Sequence, residues 1–400
     1  MLLAQVRESR MSAERESMAK HPRRRTKQKN MNKINLGIIG LGGMGRHHAK
    51  SILQGDVPNC RLAAVCDGRE DVLNEFPTAQ KFSTCADLIA SNSVDAVLIA
   101  TPHYSHTTLG IEALQAGLHV LVEKPISVHK SDCERLIAAR RSPDQVFAAM
   151  FNMRTSEIYG KLRHLIRTGE LGQIRRIQWT VTNWFRSDAY YASGKWRATW
   201  GGEGGGVLLN QCPHQLDLWY WLFGMPSRIR AFCHMGRYHD IEVEDDVSAY
   251  FEYENGATGL FVTSTGEAPG TNRLEVSAER GRVVIENGRF LFDRNEIPTT
   301  EFSRTSSSSM KTPSVWKIEI PLAERDKPHA EIIENFGAAI LDRKPLIAPA
   351  EEGIYSVELA NAMLLSTFQN ETIELPMNGA QYEEILKKKC TESRFQRATP

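Results

Sequence analysis

From residue 34 onward the chain alternates short apolar runs with segments of helical periodicity. Five runs are nearly continuous in valine, leucine, isoleucine and alanine: Ile34–Ile39, Arg61–Cys66, Val94–Ala100, Leu118–Val122 and Val146–Met150. Strands that are buried on both faces have this composition, whereas half-exposed strands alternate apolar and polar residues. Because segments of helical periodicity separate the runs, the pattern predicts a doubly wound α/β domain with a parallel sheet.

The pattern changes after about residue 151. A helical segment, Glu157–Thr168, is followed by runs in which apolar and polar residues alternate, several of them joined by Asn-Gly turn pairs. Such turns join neighbouring antiparallel strands. Helical periodicity returns at 330–342 and 351–367, and the serine-rich stretch 301–314 is predicted to be a loop. The second half is therefore predicted to be an α+β domain with a largely antiparallel open sheet.

The length agrees with two domains, because 400 residues exceed the size at which a single hydrophobic core stops growing. We predict a first domain at residues 34–151 and a second at residues 152–390. Residues 1–33 differ from both, with ten Lys or Arg, three Asp or Glu and almost no apolar periodicity. We interpret them as a disordered basic extension. A targeting or nucleic-acid role stays open for such a run, although single basic runs are weakly specific.

The overall composition argues against several classes of protein. A net charge of +1 gives no field for nucleic-acid binding, and no stretch reaches the roughly 20 apolar residues that a membrane helix requires. The seven cysteines include no CxxC pair, as expected of reduced thiols in the cytoplasm. The acidic and histidine residues show no tight ligand spacing, so we expect no metal. We predict a cytoplasmic protein with a small-molecule ligand and neither a nucleic-acid nor a membrane partner.

A glycine-rich loop directly follows the first predicted strand. It comprises Gly40, Leu41, Gly42, Gly43, Met44 and Gly45. In such a GxGxxG pattern the first glycine permits the tight turn, the second lets the backbone approach a pyrophosphate, and the third lets the helix pack on the sheet. Amides at the start of that helix would then face the phosphates. Because strand, turn and helix occur in the required order, we predict that this loop binds a dinucleotide. A merely structural glycine turn is the alternative.

The second predicted strand leads to Asp67, 27 positions after Gly40. A carboxylate at this place accepts hydrogen bonds from the adenosine ribose and repels the 2′-phosphate of NADP. Arg69 lies two residues further on, and an arginine there can accommodate that phosphate. We therefore predict NAD as the cofactor, with NADP less favoured, and cofactor contacts from Asp67 and Arg69.

Three further segments carry a family resemblance. They are Ala-Thr-Pro-His-Tyr-Ser-His at 100–106, Gly-Leu-His-Val-Leu-Val-Glu-Lys-Pro at 117–125, and a segment that begins with three glycines and ends in Asn-Gln-Cys-Pro-His-Gln-Leu-Asp at 204–217. With the glycine loop, they closely resemble the Gfo/Idh/MocA family of sugar and cyclitol oxidoreductases, a resemblance that extends over residues 34–390. It implies an NAD(P)-dependent enzyme whose second domain binds substrate and often builds homo-oligomers. The implied cofactor-binding residues in these segments are Thr101, Pro102, His106, Glu123 and Lys124.

Lys124 is the first candidate catalytic residue. Oxidation of an alcohol needs a group that takes the hydroxyl proton while hydride leaves the same carbon. Lys124 ends a parallel strand, where ligands of open α/β sheets bind, and a positive nicotinamide ring would lower the pKa of its amine. A surface lysine in a turn is the alternative. The resemblance implies that this lysine binds the substrate hydroxyl and shares in proton transfer.

His214 is the second candidate. It follows the triple glycine, which would let backbone approach a ligand, and its spacing of four from Asn210 predicts both side chains on one helical face. A core histidine satisfied by Asp217 is the alternative. The resemblance implies that His214 is the proton acceptor. Many family members carry aspartate at the position of Asn210, the third catalytic candidate, whose amide only donates and accepts hydrogen bonds. The base would then be His214 alone or with Lys124.

An aromatic and cationic cluster lies between residues 179 and 200. Sugars present flat apolar faces edged by hydroxyl groups, which aromatic rings with polar neighbours bind well. Some of these tryptophans are expected to be structural. The predicted substrate-binding residues are Arg154, Trp184, Arg186, Tyr191, Trp196 and Arg197, together with Lys124, Asn210 and His214.

These features predict an NAD-dependent oxidoreductase that transfers hydride to or from a secondary hydroxyl of a sugar or glycoside, with carbon 3 as a candidate position. Two other functions would use the same site: an NAD-recycling glycosidase that oxidises the sugar transiently, and an inositol dehydrogenase-like activity. A cofactor-sensing protein of the same fold is disfavoured because both Lys124 and His214 are present.

Overall fold

The computed structural model describes residues 33–323 and 327–395. The basic extension predicted at residues 1–33 therefore lies outside the described residues, apart from Lys33. The described chain folds into two sheets, one of six strands and one of nine. A separate hydrophobic core is associated with each sheet.

The first sheet is parallel throughout. Its strands are β1 Ile34–Ile39, β2 Cys60–Cys66, β3 Gln80–Phe82, β4 Ala96–Ile99, β5 His119–Val122 and β6 Phe147–Ala149. The helices between them are α1 Gly43–Leu53, α2 Glu70–Leu73, α3 Cys85–Ala90, α4 His103–Gln115 and α5 Lys130–Ala138. The strand order is β3-β2-β1-β4-β5-β6. The order reverses between β1 and β4, and ligands of doubly wound sheets bind outside the carboxyl ends of the strands at this switch point.

Burial explains why the apolar runs form strands. All four residues of β4 have no exposed surface, and the same holds for the last three residues of β5. With both faces of the sheet covered, these strands need no polar face. The predicted doubly wound α/β fold is confirmed.

The second sheet is mixed but mostly antiparallel. Its strands are β7 Ile174–Val181, β8 Arg228–Met235, β9 Glu244–Glu252, β10 Thr258–Ser264, β11 Asn272–Ala278, β12 Gly281–Glu286, β13 Arg289–Asn295, β14 Val315–Ile320 and β15 Ile373–Glu374. They follow the order β14-β13-β12-β11-β7-β10-β9-β8-β15, in which β7 and β10 run parallel and the other described neighbours antiparallel. The predicted α+β second half with a largely antiparallel open sheet is confirmed.

The helices of the second half pack against this sheet or join it to the first domain. They are α6 Glu157–Arg167, α7 Asp188–Ala192, α8 Pro213–Phe223, α9 Thr299–Thr305, α10 Pro328–Asp342, α11 Gly353–Gln369 and α12 Gly379–Thr391, with 3-10 turns at Asn152–Thr155 and Ala350–Glu352. Helix α11 contacts α5, α8 and β8. Val357 of this helix belongs to the core of the first sheet and Leu359 to the core of the second. A helix shared by both cores holds the two halves together.

The stretch 301–314 differs from its prediction as a loop, because α9 covers its first residues. The carboxylate of Glu279 accepts the Thr300 amide at 2.6 Å, and the Glu279 carbonyl oxygen accepts the Thr299 amide at 2.9 Å. These tertiary hydrogen bonds satisfy amides of the first turn, which have no partners within the helix. The helix therefore forms without the apolar face that a sequence pattern would reveal.

All seven cysteines are free thiols, and the sulfur atoms of Cys66 and Cys85 lie 3.9 Å apart, well beyond the disulfide bond length of about 2.05 Å. Within the part of the chain that the structure describes, no helix is both long and apolar enough to cross a bilayer.

Candidate active site

The glycine loop joins β1 to α1 through backbone that side chains would disturb. Gly40 has a φ of 88°, and a Cβ there would lie 2.8 Å from the carbonyl oxygen of Ala100. A Cβ on Gly45 would overlap the carbonyl oxygen of Gly40. The turn itself therefore requires glycine at both positions. A Cβ on Gly42 or Gly43, in contrast, would have no atom within 4 Å.

The open space beside Gly42 and Gly43 lies at the start of α1, an 11-residue helix. No side chain caps this helix and its first turn contains no acidic residue. Its first amides thus remain available to a ligand, and the helix dipole favours an anion. Backbone without side chains, free amides and the dipole together fit the pyrophosphate of a dinucleotide.

We expect Gly42→Ala to weaken NADH binding by about tenfold or more without destabilising the protein, because the new methyl group would meet only the bound pyrophosphate. Fluorescence titration with NADH and unfolding in urea measure the two effects. Gly45→Ala is the contrasting variant: its methyl group overlaps the Gly40 carbonyl oxygen, so the free energy of unfolding should fall as well. Full NADH affinity in G42A would contradict the role assigned to the loop.

Asp67 links the end of β2 to the glycine loop. Its carboxylate accepts the Leu41 amide at 2.8 Å and the Arg69 amide at 3.0 Å. The Arg69 side chain also donates to it, Nε to Oδ1, at 3.1 Å. Burial would raise the pKa of Asp67, but the hydrogen bonds from Arg69 and Leu41 outweigh this effect and lower the pKa. The carboxylate is therefore ionised, as a group that discriminates against a 2′-phosphate must be.

A cleft of about 690 Å³ runs along the carboxyl ends of the strands. It brings together residues predicted to bind cofactor: Gly40, Gly42, Gly43, Met44, Asp67, Arg69, Thr101, Pro102, His106, Glu123 and Lys124. The second domain contributes Trp196 and Arg197, both predicted to bind substrate. Gly45 is not among the lining residues, because it packs against the turn. Lining residues that the sequence analysis missed are Cys66, Gly68, Ser83, Cys85, Ala100 and His103.

Glu123 forms a buried pair with His48 of α1. The distance from Glu123 Oε1 to His48 Nε2 is 2.7 Å, and the second carboxylate oxygen accepts the Lys124 amide at 3.1 Å. Burial would raise the pKa of Glu123, but the hydrogen bond and charge of His48 outweigh it and bring the pKa to about 2. Glu123 thus links the end of β5 to α1. It also lines the cleft.

His106 holds two loops together rather than offering a free nitrogen to a cofactor. Its Nδ1 lies 2.8 Å from the carbonyl oxygen of Pro125 and its Nε2 lies 2.8 Å from the carbonyl oxygen of Thr101. Only 1% of the residue is exposed. We therefore revise the predicted cofactor contact: His106 positions the loops after β4 and β5.

Lys124 reaches from the end of β5 to the second domain. Its Nζ donates a hydrogen bond to the carbonyl oxygen of Asn210 at 2.8 Å. Burial lowers the pKa of this amine, and the negative charges of Glu123 and Glu203 oppose the shift. An ammonium group has three donors, so Lys124 keeps others for a ligand in the cleft.

His214 is the second residue of α8 and carries a buried nitrogen, Nδ1, that has no hydrogen-bond partner among the described residues. The ring of Phe151 lies edge-on to it, with centroids 6.3 Å apart. Burial, followed by the positive charge of Lys124, lowers the pKa of His214 to about 3. The imidazole is therefore neutral at neutral pH and can accept a proton.

Asn210 does not share a helical face with His214, so that prediction is wrong. Helix α8 begins at Pro213, a residue that favours the first turn, and Asn210 lies in the turn before it. The side-chain amide of Asn210 donates to the carboxylate of Glu203. Asn210 nevertheless belongs to the site, because its carbonyl oxygen receives Lys124.

Glu203 is a buried carboxylate that the sequence analysis did not identify. It is 3% exposed, accepts the Ala198 amide at 2.5 Å, and lies 3.8 Å from the guanidinium of Arg197. Burial raises its pKa. The available sequence signal is a single glutamate inside a run of glycines, seven residues before Asn210. A carboxylate thus stands beside position 210 even though that position itself carries an amide.

The glycines before α8 serve packing rather than the approach of backbone to a ligand, which was their predicted role. A Cβ on Gly204, whose φ is 81°, would clash with Val128, and one on Gly206 would overlap the carbonyl oxygen of Glu244. The Glu244 carboxylate accepts the amides of Gly206 at 2.8 Å and Leu208 at 3.0 Å. These contacts fasten the segment before α8 to the start of β9.

Arg154, predicted to bind substrate, belongs instead to a buried ion-pair network. Its Nη2 and Nε donate to Asp217 at 2.6 and 2.8 Å, and its Nη1 donates to Glu352 and to the carbonyl oxygen of Ile347. The Arg154 side chain is 1% exposed. All its nitrogens are engaged, which also occupies Asp217 and removes it as a partner for His214.

We expect Asp217→Ala to lower the free energy of unfolding by about 3–5 kcal/mol, because the buried Arg154 would keep only the partly exposed Glu352 as a counterion. Unfolding in urea measures the loss. The matched control is Arg289→Ala, which breaks an exposed pair with Glu319 and should cost less than about 1 kcal/mol. Equal losses in the two variants would contradict a structural role for the buried pair.

The aromatic cluster divides between core and cleft. Trp179 and Trp200 are buried in the core of the second domain. Trp196 lines the cleft and stacks with Arg197, whose Cζ lies 4.5 Å from the indole ring centroid. Tyr191 does not line this cleft: it contacts Thr265 through its hydroxyl at 2.8 Å and lines a separate cavity of about 240 Å³, to which Arg197 also contributes. Its predicted place in the sugar site is therefore revised.

Trp184 and Arg186 precede α7 and complete the predicted substrate-binding set. Trp184 Nε1 and Arg186 Nε are buried and have no hydrogen-bond partner among the described residues. The guanidinium of Arg186 lies 5.7 Å from the ring centroid of Trp184. Two neighbouring side chains therefore each carry a buried donor without a described partner.

Sequence comparison matches a segment in each half of the chain to a known protein family. Residues 34–151 match the oxidoreductase family with an NAD-binding Rossmann fold, and residues 159–284 match the GFO/IDH/MocA C-terminal domain. The myo-inositol 2-dehydrogenase of Thermotoga maritima is 25% identical over 268 residues, 64% of this chain and 76% of that protein. The inositol 2-dehydrogenase of Corynebacterium glutamicum is 26% identical over 300 residues, 68% of this chain and 81% of that protein.

Solved structures share the fold. The WlbA dehydrogenase of Bordetella pertussis, in complex with NADH and UDP-GlcNAcA, superposes with a TM-score of 0.72 at 25% identity and covers 86% of this chain and 100% of its own. Levoglucosan dehydrogenase, in complex with NADH and levoglucosan, gives 0.72 at 18% identity over 86% and 99% of the two chains. The chain therefore belongs to the Gfo/Idh/MocA family of oxidoreductases, and its first domain is an NAD-binding Rossmann fold.

Proposed function

We propose that the protein transfers hydride between NAD and a secondary hydroxyl of a sugar or glycoside. The observation that carries the proposal is that Lys124 lines the cleft of the glycine loop and that its charge, with that of Glu123, reaches the imidazole of His214. Lys124 is a half-buried amine with further donors available, and His214 is a neutral imidazole with a buried nitrogen that has no described partner. An alcohol bound here would have a donor for its oxygen and an acceptor for its proton.

The residues present fit NAD. The glycine loop and the first turn of α1 would hold the pyrophosphate, Asp67 the adenosine ribose, and Thr101, Pro102 and Glu123 the nicotinamide half. When bound, NAD supplies the hydride acceptor or donor.

The proton steps fall to this chain's own side chains. Lys124 Nζ donates a hydrogen bond to the substrate oxygen and stabilises the negative charge that develops there. His214 accepts the hydroxyl proton during oxidation and returns it during reduction, since its lowered pKa keeps it unprotonated beforehand. The carbonyl oxygen of Asn210 accepts a hydrogen bond from Lys124. The hydrogen bond from the Asn210 side chain to Glu203 keeps this residue in position.

The names of the relatives support a polyhydroxylated ring as substrate. Inositol, levoglucosan and UDP-GlcNAcA, which appear in the names and complexes of relatives, all carry secondary hydroxyl groups on a ring. In this chain, Trp196 and Arg197 offer an aromatic plate and a polar neighbour at the cleft. Carbon 3 is the position we propose for oxidation.

The test is NAD reduction across a panel of free sugars, cyclitols and glycosides, followed by the absorbance of the reduced nicotinamide. We expect NADH formation with at least one sugar or glycoside. Release of the aglycone without net NADH would indicate the NAD-recycling glycosidase reaction. The absence of both NADH and aglycone with every compound would overturn the proposal.

Cofactor preference depends on the charge of Asp67. We expect Asp67→Asn to raise the ratio of kcat/KM for NADP over NAD by about tenfold or more, because it removes a carboxylate that repels the 2′-phosphate but keeps an acceptor for the Leu41 amide. Steady-state kinetics with both cofactors measure the ratio. Asp71→Asn on the neighbouring α2 is the control, and an unchanged ratio in D67N would contradict the role of Asp67.

We further infer a homo-oligomer that forms through the outer face of the second sheet. Phe232, Tyr250 and Leu260 are 54%, 39% and 38% exposed on three adjacent strands, and Tyr250 lies directly opposite Leu260. Exposed apolar side chains that cluster on one face mark interaction surfaces. Light scattering should give a mass of at least two chains, which Phe232→Glu combined with Leu260→Glu should reduce. A monomeric wild-type protein would overturn this inference.

A further inference from the structure

Arg186 carries a positive charge that no carboxylate among the described residues pairs with. Its Nη1 donates to the neighbouring Phe185 carbonyl oxygen at 3.0 Å, and its buried Nε has no partner there. The charge of Asp245, like that of Arg186, reaches Tyr191. The Asp245 carboxylate, however, is already hydrogen-bonded to the side chain of His239 and to backbone amides, including that of Tyr238. A partly desolvated cation without a counterion is unfavourable, so an anionic partner would stabilise it.

The backbone of Arg186 is fixed at both of its polar groups. Its amide donates to the carbonyl oxygen of Thr265 at 2.9 Å, and its carbonyl oxygen accepts His239 Nε2 at 2.8 Å. Asp245 orients His239 through its other ring nitrogen, at 2.9 Å. Hydrogen bonds therefore fix the backbone that carries the guanidinium of Arg186.

Tyr190 connects Arg186 to the cleft. The Arg186 Cζ lies 5.0 Å from the Tyr190 ring centroid, and the Arg197 Cζ lies 4.7 Å from the same centroid. Arg197 also donates to the Tyr190 hydroxyl at 3.1 Å and itself lines the cleft. The charge of Arg186 further acts on Lys124. Arg186 thus stands at the substrate side of the site.

The charges around this side do not balance. Lys124 and Arg197 share the buried carboxylate of Glu203, and Glu123 is already paired with His48. Arg186 adds a third cation, which has no ion pair with a described carboxylate. Trp184 adds a second buried donor without a partner. A carboxylate or phosphate accepts several hydrogen bonds at once, so one such group would supply acceptors for both the guanidinium and the indole N–H.

We propose that Arg186 and Trp184 form a subsite for an anionic group on the sugar substrate, a carboxylate or a phosphate. The proposal rests on the proposed function for the sugar itself. The pyrophosphate of the cofactor is a different partner, because the described residues that line the cleft of the glycine loop include Arg197 but not Arg186. The expected substrates are uronates or sugar phosphates rather than neutral sugars.

The experiment measures ligand binding and turnover separately. Calorimetry with the NADH-bound protein compares methyl glucoside, methyl glucuronoside and glucose 6-phosphate, and the same compounds are assayed for NAD reduction. The variants are Arg186→Gln, Arg186→Lys and Trp184→Phe. Arg289→Gln, at an exposed ion pair far along the sheet, is the matched control. Urea unfolding confirms that each variant is folded.

We expect at least one acidic compound to bind on the order of 10- to 100-fold more tightly than the glucoside. R186Q should remove most of that ratio, R186K should retain part of it, and R289Q should leave it intact. The glucuronoside and the phosphate distinguish a carboxylate subsite from a phosphate subsite. No preference for either acid, or a preference that R186Q leaves unchanged, would overturn the inference. Neutral sugars that are oxidised without such a preference would still uphold the proposed function, whereas tight acid binding without turnover of any compound would overturn the proposed function alone.

Discussion

Lys124→Met is expected to lower kcat by about 100- to 10,000-fold while the protein still binds NADH. The substitution removes the Nζ that is proposed to donate to the substrate oxygen and leaves the length of the side chain nearly unchanged. It also leaves the glycine loop and Asp67 intact. Steady-state kinetics and NADH fluorescence titration measure the two quantities.

The control for this variant is Lys81→Met, since Lys81 is an exposed lysine that bonds to Asn74 outside the cleft. It should retain full activity. If K124M kept the activity of wild type, every catalytic version of the proposed function would fail. If K124M lost NADH binding in proportion to activity, Lys124 would be a cofactor ligand and not a catalytic residue.

His214→Asn is expected to lower kcat for sugar oxidation by about 100-fold or more, because the neutral imidazole is the proposed proton acceptor. Asparagine preserves a hydrogen-bonding side chain of similar size but cannot take the proton. Gln215→Asn, at the next position of α8, tests whether any polar change in this turn is damaging. A loss in H214N no larger than in the Gln215 variant would rule out His214 as the base.

The pH dependence follows from the same residue. A base must be unprotonated, and burial with the charge of Lys124 lowers the pKa of His214 to about 3 in the free protein. His214 therefore stays unprotonated as the pH falls from about 7 to about 5. A histidine with the ordinary pKa of about 6.5 would lose most of its unprotonated form over the same range. We expect kcat/KM to show no histidine limb in this range, and a limb that H214N abolishes would contradict the assigned pKa shift.

The parallel sheet was predictable because its signal is local. Strand β4 is a continuous apolar run, and β1 and β5 each contain a single polar residue, Asn35 and His119, since burial on both faces leaves few polar positions. β3 was not predicted: it has three residues, Gln80–Phe82, at the edge of the sheet, none of them fully buried. A short edge strand of this kind depends on its neighbour β2 and carries no periodicity of its own.

The identity of many site residues was predictable from the sequence, but the partners that they contact were not. The cleft gathers the glycine loop with Lys124, because the carboxyl ends of parallel strands meet at one edge. The partners that occupy each side chain are tertiary and remained invisible. Arg154 and Asp217 lie 63 positions apart and pair in the interior, and Glu203 reaches Asn210 only because the chain between them turns.

Deuterium transfer is the direct test of hydride transfer from the sugar to NAD. A sugar that the enzyme oxidises, deuterated at the carbons that bear its secondary hydroxyl groups, is incubated with the enzyme and NAD, and the reduced cofactor is analysed by mass spectrometry. We expect NADH that is heavier by one mass unit, together with a ketone at the labelled carbon. Reduced cofactor without deuterium, or labelled sugar that is recovered unchanged beside active enzyme, would contradict direct hydride transfer from a secondary hydroxyl of the sugar.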